Sequence, residues 1–219
     1  MPELIIFGDS IIKGVCFDGQ RYHLCAGHGL EALAAKGVTV QNFAKMGATS
    51  AQGLQLLEKK LGACGGQTTV LLCFGGNDCD YDWQAISDAP EQTHLPHVAP
   101  EQFVRNYEAL LVRARQHGAR AAALLLPPIH AGRFFAHITA GKDAAAILRW
   151  LGDRAHLSRW QEYYSNLVAQ TALRLGCPVL DMRSEFLKSR SFETLIGPDG
   201  IHPTQEGHAR IHAYLEAAL

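Results

Sequence analysis

Four short polar segments carry residue types suited to acyl transfer: Gly8-Asp9-Ser10, Met46-Gly47-Ala48, Gly75-Gly76-Asn77-Asp78 and Asp199-Gly200-Ile201-His202-Pro203. A serine hydroxyl is a weak nucleophile until a base takes its proton, and His202 is the candidate base for Ser10. The imidazole needs a fixed tautomer. Asp199, three residues earlier in a glycine-containing turn, can hold its other ring nitrogen, and Pro203 locks the chain just after it. Attack on a carbonyl creates a new negative charge. The backbone N–H groups of Ser10 and Gly47 and the side-chain amide of Asn77 are the candidate donors to that oxyanion. Gly47 lets the backbone approach closely and stands near a helix N-terminus, whose dipole favours an anion. Asp9 and Asp78 flank these groups and read as braces, Asp9 by accepting backbone N–H bonds in its turn. Singly, each segment is ordinary turn chemistry. Their arrival after the first, second, third and fifth of the strands set out below favours function.

The elements that must position them follow from hydrophobic patterning. Five apolar runs read as strands: Glu3–Phe7, Val38–Ala44, Thr69–Phe74, Arg120–Leu126 and Pro178–Met182. Most are continuous rather than alternating, as suits strands covered on both faces. Helical patterns lie between them. One starts at a capping box, Thr49 to Gln52, and carries Leu54, Leu57 and Leu61. Another starts at Pro100 and stops at Gly118. A third starts at a second capping box, Ser158 to Gln161, and stops at Gly176. Pro203 starts the last, with Ile211, Tyr214, Leu215 and Ala218 inward. Strands alternating with helices predict a parallel sheet with right-handed crossovers, and sites on such sheets form at the carboxyl ends of strands. Asp18-Gly19 between β-prone runs predicts a small hairpin over Val15 to Tyr22. Residues 79–99 and 127–157 are long insertions, and Asp143 can cap a helix carrying Ala144, Ile147, Leu148 and Leu151. The absence of repeats and linkers gives one domain over 1–219.

The segments together resemble the SGNH, or GDSL-type, hydrolases over nearly the whole chain. The matching blocks are Gly8-Asp9-Ser10-Ile11 (isoleucine where the family name has leucine), Gly47 within NFAKMGATSAQGL, Gly75-Gly76-Asn77-Asp78, and Asp199 to Pro203. The resemblance implies Ser10 as nucleophile, His202 as base, Asp199 as its partner, and Ser10, Gly47 and Asn77 as the oxyanion hole. It also implies an α/β fold, a three-layer α/β/α sandwich with a five-stranded parallel, flavodoxin-like sheet. No metal or cofactor is implied. The expected activity is hydrolysis of a carboxylic ester through an acyl-serine, with short-acyl or O-acetyl esters of small molecules or carbohydrates as substrates. Acyl transfer to an alcohol, and thioesterase or lysophospholipase action, use the same intermediate. Trp83, Phe134, Phe135 and Trp150, from the two insertions, are candidates to wall the substrate pocket.

Composition excludes other classes. Lys and Arg total 20 against 21 Asp and Glu, with no basic stripe, so nucleic acid is not an expected partner. The apolar run Leu4–Phe7 is too short for a signal peptide and no stretch could span a bilayer, which reads as a cytoplasmic protein with no membrane partner. The six cysteines, with no C-x-x-C pair, read as free and mostly buried thiols. Phosphoryl transfer through Asp9 wants a second acid two residues on, where Ile11 stands. No Walker or G-x-G-x-x-G loop is present. The pairs His94/His97 and His208/His212 lack other ligands in pattern and read as surface or capping residues.

Overall fold

Strands buried on both faces need two layers of cover, and the chain supplies them from alternate residues. The computed structural model describes residues 2–27 and 30–219. In chain order the elements are β1 (Glu3–Gly8), α1 (Ser10–Lys13), β2 (Val15–Phe17), β3 (Tyr22–Leu24), α2 (Glu31–Ala35), β4 (Thr39–Asn42), α3 (Ser50–Lys60), β5 (Thr68–Cys73), α4 (Trp83–Asp88), α5 (Pro100–Gln116), β6 (Arg120–Leu124), α6 (Ala131–Thr139), α7 (Ala144–Leu151), α8 (His156–Arg174), β7 (Val179–Leu180), α9 (Arg183–Leu187), α10 (Phe192–Leu195) and α11 (Gln205–Ala218). The sheet order is β4-β1-β5-β6-β7, all neighbours parallel, with Glu3 to Gly8 registered on Thr68 to Cys73. Ile5, Phe7, Val70, Leu72, Ala121 and Ala123 face α3, α5 and α8 through Leu57, Tyr107, Leu110, Tyr164 and Val168. The residues between them, Leu4, Ile6, Leu71, Cys73, Ala122 and Leu124, face Leu33, Phe186, Ile211 and Leu215 on the other side. This period-two division makes a three-layer sandwich and explains why the strand runs read as continuous.

The two long insertions are more ordered than loops. They contain α4, α6 and α7, and with the start of α8 these build a third apolar cluster of Tyr81, Trp83, Ile86, Phe134, Phe135, Ile138, Ile147, Leu151 and Leu157. Asp82 and Asp143 cap α4 and α7 with their side chains. The expected helix start at Ser158 is displaced. α8 begins at His156, and Ser158 to Gln161 lie inside its first turns. The last helix begins at Gln205 with Thr204 as its cap. Ile211 and Leu215 face inward as expected, whereas Ala218 is exposed.

The hairpin forms, β2 against β3, with the Asp18 carboxylate accepting from Gln20 and Arg21 N–H. It corrects the reading of the cysteines. The antiparallel register sets Cys16 opposite His23, the Cys25 N–H bonds the Gly14 carbonyl, and Cys16 and Cys25 form a disulfide across 5.7 Å between their Cα atoms. Cys64, Cys73, Cys79 and Cys177 are free thiols. Disulfides persist in oxidising surroundings, so the cysteines no longer argue for the cytoplasm. Among the described residues, no helix is long and apolar enough to cross a membrane.

Candidate active site

β1 ends at Gly8 and the chain turns directly into α1, whose first residue is Ser10. Asp9 is the cap of that helix. Its Oδ1 accepts from the Ile11 N–H at 3.0 Å, as the turn reading required. The carboxyl is 1 % exposed. Burial pushes its pKa up to about 7, against the pull of the Ile11 N–H and the charge of His202. Ser10 is held between a buried strand and this capped turn, and its own N–H, at the start of a helix, has no acceptor within it.

Asp199 and His202 come from the turn before α11. Asp199 Oδ1 accepts from the Ile201 and His202 N–H groups, each at 3.1 Å, and its Oδ2 lies 2.6 Å from His202 Nδ1. His202 Nε2 lies 2.7 Å from Ser10 Oγ. A carboxylate only accepts, so Nδ1 carries the proton towards Asp199 and Nε2 is left to receive the serine proton. Burial alone would raise the Asp199 pKa, but the hydrogen bond and charge of His202, with the two N–H donors, hold it below the ordinary carboxylate range. Gly200 makes the turn possible. It has φ +78°, and a Cβ there would stand 2.3 Å from the Phe134 nitrogen and 2.7 Å from the His130 carbonyl. The Tyr22 ring, on β3, packs edge-on against the His202 ring at 5.1 Å between centroids.

The candidate oxyanion donors are braced by Asp78. Its carboxylate accepts from the Ser50 N–H at 2.9 Å and the Ser50 hydroxyl at 2.5 Å, tying the start of α3 to the loop after β5. Asn106 donates to Ser50 Oγ at 3.0 Å and Gln102 donates to Asn106 at 2.7 Å. Burial pushes the Asp78 pKa up to about 6, with the Ser50 bonds pulling the other way. One Asn77 amide hydrogen goes to the Ala48 carbonyl at 3.1 Å, which leaves the second for a ligand. Gly47, with φ +74°, lies in the same cleft as Ser10, Asn77 and His202.

Two spaces meet at Ser10. One is a partly enclosed, mainly apolar cavity of about 80 Å³, whose walls include Tyr81, Trp83, Leu126, Phe134, Leu157 and Trp160. The other is an open cleft of about 300 Å³ bordered by Tyr22, Met46, Gly47, Asp80, His137 and Lys142. Trp83 and Phe134 line both. Phe135 and Trp150 line neither. Phe135 is buried in the third cluster, and Trp150 packs edge-on against Tyr81 and Trp83. Sequence reading missed Tyr22, Asp80 and Tyr81. Asp80 lies two residues beyond the Gly75–Asp78 block and accepts from Trp83 Nε1 at 2.7 Å, and burial raises its pKa. Only its place beside that block could have singled it out.

A parallel α/β/α sandwich with a serine, a histidine and a buried aspartate in hydrogen-bonded series at its strand ends has the design of an SGNH-type serine hydrolase. The chain belongs to the GDSL-like lipase/acylhydrolase family, whose model matches residues 6–210, and it is a carboxylic ester hydrolase. It is 24 % identical over 220 residues to the GDSL esterase/lipase CPRD49 of Arabidopsis thaliana, covering 94 % of this chain and 74 % of that protein. Among solved structures its fold resembles the lipase/acylhydrolase from Enterococcus faecalis, with TM-score 0.65 and 18 % identity over 100 % of this chain and 95 % of that one. It also resembles the acetyl xylan esterase AlAXEase, with TM-score 0.65 and 18 % identity over 99 % of each.

Proposed function

We propose that the enzyme hydrolyses short-acyl esters of polar alcohols, O-acetyl groups on carbohydrates being the model case. Ser10 Oγ attacks the acyl carbon while His202 Nε2 takes its proton, and Asp199 holds the imidazolium that forms. The Ser10 and Gly47 N–H groups and the Asn77 amide bind the oxyanion. The alcohol leaves with the proton from His202. Water, deprotonated by His202, then attacks the acyl-serine, and the proton returns to Ser10 as the acid departs.

The observation that carries the substrate class is the contrast between the two spaces at Ser10. The partly enclosed cavity, about 80 Å³, is well below the roughly 150 Å³ that admits benzene in a protein core, so it suits an acyl chain of a few carbons. The open cleft, with Tyr22, His137 and Lys142 at its edge, suits a hydroxyl-rich alcohol. The fold likeness to an acetyl xylan esterase is compatible with this reading. A series of p-nitrophenyl esters from acetyl to octanoyl tests it, with Ser10→Ala as the inactive control. kcat/KM falls sharply beyond butyryl. A rising series overturns the short-acyl reading in favour of lysophospholipase or thioesterase chemistry.

A further inference from the structure

The hairpin of β2 and β3 sets an aromatic ring against the catalytic histidine, yet it is too small to hold itself there. It has three paired positions, Val15 on Leu24, Cys16 on His23 and Phe17 on Tyr22, and every residue of β3 is exposed. A two-stranded hairpin is marginal by itself in water. Ties at its open end fix it instead. The Cys16–Cys25 disulfide crosses it, the Cys25 N–H donates to the Gly14 carbonyl at 2.8 Å, and the Gln205 side chain bonds the N–H and the carbonyl of Ala26 at 2.9 and 2.8 Å. His208, whose spacing suggests a surface or capping residue, is buried on α11 and donates from Nε2 to the Val15 carbonyl at 3.0 Å. Of these ties only the disulfide is covalent. What it holds matters to the chemistry. Hydrogen bonds to Asp199 and Ser10 fix the His202 imidazole along the line of its two nitrogens. They do little against a tilt across that line, which falls to packing on the ring. Among the described residues Tyr22 is the only aromatic ring against His202, at 5.1 Å between centroids and 63° between planes. Tyr22 packs in turn on Phe17 at 4.7 Å, and its hydroxyl lies 3.4 Å from His137 Nε2 on α6.

We propose that Tyr22 is a positioning residue for His202 and that the Cys16–Cys25 disulfide keeps it in place, so that turnover depends on the oxidation state of a bond that takes no part in ester hydrolysis. This role presupposes the acyl-serine mechanism with His202 as its base. With a phosphine as reductant, phosphorus attacks one sulfur and the S–S bond breaks. Water gives its oxygen to the phosphine oxide and its two hydrogens, as protons, to the two thiols. The bonds from Gln205 that remain at the end of β3 are exposed, where water competes for them. Tyr22 then leaves the His202 ring for part of the time. Nε2 meets the Ser10 hydroxyl less often in the geometry that transfers its proton, which lowers kcat and leaves KM unchanged.

The test is a cycle of reduction and substitution on the full-length protein, read as kcat and KM for p-nitrophenyl acetate. Thiol titration of the unfolded chain counts four thiols before reduction and six after, which verifies the state of the bond. Reduction lowers the kcat of the wild type severalfold, and the Cys16→Ser, Cys25→Ser double variant reproduces the reduced protein without reagent. Tyr22→Ala, its fold checked by circular dichroism, loses about tenfold in kcat with KM unchanged, and reduction costs it nothing further. Tyr22→Phe keeps the ring and restores most of kcat. The proposal is overturned by a reduced wild type and a double variant that both keep full kcat, by a further loss on reducing Tyr22→Ala, by a rise in KM alone, or by a Tyr22→Phe variant as impaired as Tyr22→Ala. Ser10→Ala is assayed alongside. Its activity would remove the acyl-serine mechanism and this role with it, whereas any of the former results beside an inactive Ser10→Ala removes only the role of Tyr22.

Discussion

Replacement of Asp9 by asparagine makes a sharp test, because burial of its carboxyl sets the sign of the effect and its order of magnitude. Asp9 is buried against the active-site turn, and its pKa rises from its ordinary value of 3.8 to about 7, mainly through desolvation. A folded-state pKa above the unfolded one gives stability that is full in acid and lost as pH rises. Below about pH 4 both states hold the proton. Between about 4 and 7 the unfolded chain has released it and the folded protein has not, so stability falls by about 1.4 kcal/mol per pH unit. Above about 7 both are ionised and the loss levels off. The interval from 3.8 to about 7 therefore corresponds to about 4 kcal/mol. Asparagine cannot titrate, and its amide oxygen can keep the bond from the Ile11 N–H. Urea unfolding of both proteins at pH 5, 6, 7 and 8, without reductant, measures the difference, in which groups that do not interact with Asp9 cancel and the coupling of Asp9 to His202 and Asp78 remains. The variant gains on the wild type by about 1.4 kcal/mol per unit from pH 5 to 7 and by little from 7 to 8. A difference that does not change with pH refutes the reasoning. Asp9 acts as a brace, so the variant also retains most of its kcat, and loss of activity in a folded Asp9→Asn protein would refute that role.

Two further outcomes follow from the site. Asn77→Ala removes a candidate oxyanion donor and lowers kcat about a hundredfold or more, roughly 3 kcal/mol, with little change in KM for p-nitrophenyl acetate; a rise in KM alone would assign Asn77 to substrate binding instead. Gly200→Ala forces a left-handed residue and a Cβ into the backbone of α6, at a combined cost of about 2–5 kcal/mol. Calorimetry then gives a Tm lower by about 5–15 °C, and an unchanged Tm would mean that the turn and α6 are not in contact.

What the sequence disclosed was set by local physics. Strand runs are legible because burial on both faces leaves no polar interruption, and the first three runs stop just before candidate site residues. Asp9, Asn77 and Asp199 are each fixed by hydrogen bonds within a few residues or by the loop next door, so their motifs are short and visible. The unread features depend on long-range contact. Cys16 and Cys25 are nine apart with no motif, and only the hairpin register brings them together. His208 meets the hairpin from the far end of the chain. α6 has weak helical character, with Gly132 near its start, and forms because His130 caps it through the Arg133 N–H and because Phe134, Phe135 and Ile138 are buried. The Ser158 capping box misled because a serine followed by glutamine three residues later also fits a helix interior. The actual start is set by Asp153, which accepts from the His156 N–H.

The same division separates chemistry from specificity. Ser10 follows β1 directly, Asp78 and Asn77 are bonded to the start of α3 and the segment before it, and Asp199 is bonded within the turn before α11. The walls of the partly enclosed cavity come largely from the third cluster, where α4 packs on α7 and α6 on α8. That cluster shares Trp160 with the first and Ile201 with the second. A substitution at Trp83 or Leu157 therefore changes the shape of this cavity while leaving the Ser10–His202–Asp199 bonds in place. The insertions lie outside the strand-and-helix alternation and shape the cavity beside Ser10 without supplying any member of the Ser10–His202–Asp199 series.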